Sequence, residues 1–142
     1  MKVVLCCFGL MLLTDGALAE NDGPKRGKHE QGYFNWNTSE PVADDKKDCA
    51  IALANGKWRV EKCGAMNTFA CQSTSSPDVW NVDVNKGTFN EQDAKCKAGF
   101  EFAAPKSAED TQRLQAALKD AKVNQAWIYV NDQVDEGKWM TK

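Results

Sequence analysis

Apolar and polar positions along this chain follow two different periods. From Cys49 to Cys71 the rhythm is that of strands. Cys49-Ala50-Ile51-Ala52-Leu53 is a short apolar run, Asn55-Gly56 breaks it, Trp58-Arg59-Val60 resumes it, and Phe69-Ala70-Cys71 closes the segment. Short apolar runs punctuated by an Asn-Gly turn predict paired β-strands. Ahead of them, Gly32-Tyr33-Phe34-Asn35-Trp36 is an aromatic strand candidate ending in a turn, and residues 40–47 form an irregular charged loop. Ser73-Thr74-Ser75-Ser76-Pro77 has the composition of a linker.

Beyond that linker the period lengthens. Thr88-Phe89-Asn90-Glu91 has the form of a capping box, and Ala94, Cys96 and Ala98 follow before Gly99. This predicts a helix. Residues 100–104 alternate like a strand and stop at Pro105. Ser107 opens a second predicted helix, with Leu114 and Leu118 four apart on one face beside Ala117 and Ala121. Ala126-Trp127-Ile128-Tyr129-Val130 is a buried strand candidate, residues 131–137 form a turn, and Lys138-Trp139-Met140 begins another strand.

Composition narrows the class. A length of 142 residues suits one domain, and 18 Lys plus Arg against 20 Asp plus Glu leave a net charge of -2. That balance argues against nucleic acid as the main partner. Residues 1–19 read as a secretory signal peptide: Lys2, an apolar centre, and a small-x-small ending at Ala19. The centre is too short to span a bilayer. A lipoprotein signal would need small residues before Cys6, where Val3-Val4-Leu5 stand. Cleavage removes Cys6 and Cys7 and leaves Cys49, Cys63, Cys71 and Cys96, four thiols that allow three pairings. The expected location is therefore secreted, periplasmic or extracellular.

Residues 20–31 read as a flexible polar tail, and the single histidine, His29, lies in it. No histidine-based catalysis or zinc cage follows. With no Gly-x-Ser-x-Gly elbow, no phosphate loop and no opposed carboxylate pair, the sequence gives no grounds for an enzyme. Asn37-Thr38-Ser39 is a glycosylation acceptor in a eukaryotic source and a turn in a bacterial one.

Asp48-Cys49, the Gly56-Lys57-Trp58 turn, Cys63 and Phe69-Ala70-Cys71 together resemble the C-terminal half of a C-type lectin-like domain. The cysteine-bearing helix, the Trp127-Ile128-Tyr129-Val130 strand and Asp132…Glu136-Gly137-Lys138-Trp139 resemble that family's N-terminal half, with Tyr129 where the family has glycine. The likeness covers residues 32–142, with the halves in reversed order. Either one circularly permuted domain (residues 32–72, a linker at 73–79, and 80–142) or the junction of two tandem domains accounts for that order.

The resemblance implies an α+β fold with two helices packed on small antiparallel sheets, long irregular loops, and disulfides Cys49–Cys63 and Cys71–Cys96. It also implies a secreted module for carbohydrate binding or cell adhesion, taking a glycan or extracellular protein as partner. A second possibility is a structural component that self-associates, so that the chain is a monomer or a domain-swapped dimer. The family's sugar-binding calcium ligands are largely replaced: Val42, Lys47 and Arg59-Val60 stand where amides and carboxylates belong. Recognition without calcium is the expectation, through Glu40, Asp44, Lys47 and Arg59 together with Asp45 and Lys46. A second, structural calcium position of the family maps onto Asp132 and Glu136 with an acid such as Asp44 or Asp45. The plain alternative is that Asp132 caps its turn and Glu136 is solvated.

Overall fold

The computed structural model describes residues 32–141. The signal segment 1–19, with Cys6 and Cys7, and the tail 20–31, with His29, lie outside the described residues. Seven strands and one α-helix follow in the order β1 (Cys49–Leu53), β2 (Trp58–Glu61), β3 (Asn67–Ser73), β4 (Trp80–Gly87), β5 (Phe100–Phe102), α1 (Ala108–Ala121), β6 (Gln125–Asn131) and β7 (Met140–Thr141). They form one sheet in the order β2-β1-β6-β3-β4, with β5 on β3 and β7 on β6. Every pairing is antiparallel except β3 with β6, which is parallel over Thr68↔Ala126 and Phe69↔Trp127. The protein is thus a small α+β domain: one helix on a mixed sheet, with two disulfides.

Strand β1 shows why the apolar run is continuous instead of alternating. Ala50 and Ala52 face a core shared with Trp58, Leu114, Leu118 and Ile128, whereas Cys49 and Ile51 face Phe69, Phe89, Phe102 and Trp127. Successive side chains point to opposite faces, and here both faces are covered. The β1–β2 turn needs Gly56, whose φ of +86 is left-handed; a Cβ there would lie 2.8 Å from Thr111 Cγ2 on α1. Ser107 starts α1 by accepting the Asp110 N–H at 3.0 Å, and Leu114 and Leu118 bury its inner face.

Three expectations need correction. The sheet is a single mixed one, because β6 inserts between β1 and β3. The helix expected from Thr88 is a short 3₁₀ turn, Phe89–Ala94. Its start is as expected, since the Glu91 carboxylate accepts the Thr88 N–H at 2.7 Å, but the Lys95 N–H bonds back to Gln92 O and the chain leaves the helix. Phe89 is pinned in the core against Phe102, Trp127 and Tyr129, and Cys96 is tied to Cys71. With two anchors so close in sequence, only a short tight stretch fits.

Residues 73–79 are a structured hairpin. The Ser73 N–H bonds Val79 O at 2.9 Å, Ser73 Oγ accepts the Ser76 N–H at 3.1 Å, and Gln72 Nε2 donates to Pro77 O at 2.8 Å. Strand β4 then runs antiparallel to β3, with Trp80 and Val82 buried.

Residues 32–72 and 80–141 therefore share one sheet and two cores, and the Cys71–Cys96 bond joins them. The aromatic segment before β1 packs on the sheet edge. Trp36 forms a parallel bridge with Trp58, and its ring meets those of Trp58 and Trp139 at 5.7 and 5.1 Å. Among the described residues no helix is long and apolar enough to cross a membrane.

Candidate functional site at an acidic cluster

Where β1 begins and β6 ends, the sheet brings three carboxylates together. Cys49 pairs with Asn131, so the residues just outside the register, Asp48 and Asp132, stand side by side, and the Asp132 N–H donates to Asp48 O at 2.9 Å. The loop after β6 then returns Glu136 to the same place. Its closure depends on Gly137, at φ +84, whose N–H donates to Asp132 Oδ2 at 2.8 Å. The ligand oxygens of Asp48, Asp132 and Glu136 all lie within 4.8 Å of one another.

The electrostatics of this cluster are unfavourable as it stands. Asp132 is 2 % exposed, and burial raises its carboxyl above the usual range, the Gly137 N–H opposing and Asp48 adding to the rise. Glu136 belongs to an exposed loop, but its carboxyl group reaches into the cluster. Loss of solvent there, then the charges of Asp132 and Asp48, push it up to about 7. Asp48 Oδ1 and Asp132 Oδ1 are buried without a hydrogen-bond partner. Buried polar atoms are nearly always paired, so these two oxygens call either for a proton shared between the carboxyls of the cluster, which their raised affinity for protons favours, or for a cation.

The donor set decides which cation fits. Three carboxylates with no sulfur or imidazole suit a hard ion that prefers oxygen. Calcium takes six to eight oxygens, so backbone carbonyls and water would complete the shell. Asp48, Asp132 and Glu136 would hold such an ion, which would neutralise the cluster and clamp the 132–137 loop to the start of β1.

The other residues singled out from the sequence do not converge. Glu40 Oε1 accepts the N–H groups of Val60 and Val42 at 3.2 and 3.3 Å, stapling its loop to β2. Asp44 closes a local turn by accepting the Lys46 N–H at 2.9 Å, and Lys47 follows it with its N–H on Asp44 O. Arg59 pairs with Glu61 at 2.8 Å and reaches Gln125 Oε1 at 3.4 Å. The acid that meets Asp132 and Glu136 is Asp48, not Asp44 or Asp45. Its position next to Cys49, at the mouth of a strand paired with β6, was the available signal; the pairing itself is not visible in the sequence.

No family model matches the chain, and no solved structure matches it. It is similar to proteins named "Maintenance of telomere capping protein 6": in Candida dubliniensis, 31 % identical over 58 % of this chain and 14 % of the relative, and in Kluyveromyces lactis, 21 % identical over 95 % and 33 %. An uncharacterized protein of Mycobacterium tuberculosis is 27 % identical over 75 % of this chain and 21 % of its own length. The chain thus spans a minor part of each of these relatives. Their printed name speaks of telomere capping and not of glycans or adhesion, and it overturns the expectation of carbohydrate binding and cell adhesion.

Proposed function

We propose that this chain is a binding module for a protein ligand, built on a circularly permuted C-type lectin-like scaffold whose recognition loop is fixed by a calcium-class cation. One observation carries the reading: two buried carboxylate oxygens, on Asp48 and Asp132, lack partners inside a cluster that Glu136 completes. An ion there sets the conformation of the 132–137 loop, which presents Val134, 81 % exposed, to solvent. An exposed apolar side chain on a rigid loop is suited to anchor a protein surface. This departs from the expectation of calcium-free recognition, because Asp48 supplies an acid that the sequence reading did not count. The two disulfides fit an oxidising compartment.

Calcium titration by calorimetry tests the reading. One ion should bind per chain with millimolar or tighter affinity, and Asp132→Asn should abolish it. Absence of binding at 10 mM calcium in a folded protein, on the order of the weakest extracellular sites, would overturn the cation and with it the fixed loop.

A further inference from the structure

The turn between Trp36 and Glu40 holds the one Asn-x-Ser/Thr triplet of the chain, Asn37-Thr38-Ser39. We propose that Asn37 is a site of N-linked glycosylation. This inference does not depend on the cation.

The backbone of the triplet is fixed at both ends. The Asn37 N–H donates to Trp58 O at 2.8 Å and Asn37 O accepts the Glu40 N–H at 3.0 Å, which leaves Thr38 and Ser39 at the exposed tip. The side chain is not used by the fold in the way its neighbour is. Asn35 donates to Gly56 O at 2.6 Å and accepts from Lys57 Nζ at 3.3 Å, whereas the Asn37 amide makes no hydrogen bond among the described residues. An amide free of internal bonds at a surface turn can carry a bulky group without loss of packing. The second, independent observation is the pair of closed disulfides, which form in the same oxidising compartment where eukaryotic cells attach such glycans.

The transfer balances without a redox partner. Asn37 Nδ2 attacks the anomeric carbon of an oligosaccharide carried on a lipid pyrophosphate. The new N–C bond forms as the C–O bond to phosphate breaks, the amide nitrogen gives up one proton, and the lipid pyrophosphate leaves. Ser39 supplies the hydroxyl that the transferase requires two residues on. In the folded turn Ser39 sits at φ 70, a tight left-handed geometry, so transfer precedes closure of this turn.

The test is expression of the full chain in eukaryotic secretory cells, followed by intact mass and digestion with peptide N-glycosidase. The expected result is one glycan, removed by the enzyme with conversion of Asn37 to aspartate. It should be absent from Asn37→Gln and from Ser39→Ala, which keeps the asparagine, and retained in Thr38→Ala. A chain recovered with both disulfides closed and the mass of bare polypeptide would overturn the proposal. So would a glycan that survives Ser39→Ala, or a chain recovered unglycosylated with free thiols.

Discussion

Replacing Cys71 and Cys96 together with alanine asks how firmly the two parts of the chain are held. The bond joins residues 25 apart in sequence. Closing a loop of that size restricts the unfolded chain by about 3.5 kcal/mol in the chain-entropy estimate. Cys71 is fully buried in the second core, which it shares with Phe69 and Phe102, so loss of its sulfur adds a small cavity worth about 1 kcal/mol. The expected loss is therefore about 3 to 5 kcal/mol, a large share of the roughly 5 to 15 kcal/mol that a domain possesses. Strand β3 keeps its partners β4, β5 and β6, so the variant should still fold. Guanidinium unfolding followed by tryptophan fluorescence gives the number, with Cys49→Ala/Cys63→Ala, a loop of 14, as the comparison at about 3 kcal/mol. A midpoint for the Cys71/Cys96 variant within error of wild type would refute the reasoning.

Other consequences can be measured directly. Addition of 10 mM calcium should stabilise the protein by about 1.4 to 2.7 kcal/mol for a dissociation constant of roughly 0.1 to 1 mM, a rise in Tm of roughly 5 to 15 °C that Asp132→Asn removes. Without cation, Glu136 titrates near 7 in the folded state against 4.5 ordinarily, and Asp132 is raised as well. The folded protein then holds protons that the unfolded chain has released, so stability should fall as pH rises across that window. Thermal melts in chelator at pH 5 and pH 8 check the sign, and a higher Tm at pH 8 would contradict it. Phe89→Ala should cost about 3 to 5 kcal/mol, since its ring meets Phe102, Trp127 and Tyr129 edge-on. Gly56→Ala should cost about 1 to 3 kcal/mol, because left-handed backbone and the close approach of Thr111 act together; both are read by denaturant titration.

Local chemistry was legible where one element decides its own shape. Asn55-Gly56 marked the β1–β2 turn, Ser107 marked the start of α1, and Leu114 and Leu118 marked its buried face. The short 3₁₀ stretch is not legible in the sequence because its capping signal is local, whereas what cuts it short is a disulfide to Cys71 and a ring cluster from other elements. Strand β4 is masked in the sequence although Trp80-Asn81-Val82-Asp83-Val84 alternates, because the serine-rich stretch before it has a linker's composition and forms a hairpin instead. In the sequence Asp48 stands out only as part of an Asp-Cys pair. Its meeting with Asp132 and Glu136 depends on β1 lying against β6, a contact across more than half the described chain.

The place of β6 in the sheet bears on how this chain is made. It sits between β1 and β3, yet it is synthesised long after both. While a ribosome adds the roughly 50 residues after β3, at about 5 to 20 per second, the nascent β1 and β3 wait without their common neighbour, and Cys71 waits for Cys96. For several seconds Ile51 and Phe69, and for about half that time a reactive thiol, are open to chaperones, oxidases and other nascent chains. Yield from a cell should thus depend on the folding machinery met during those seconds more than on the stability of the finished domain.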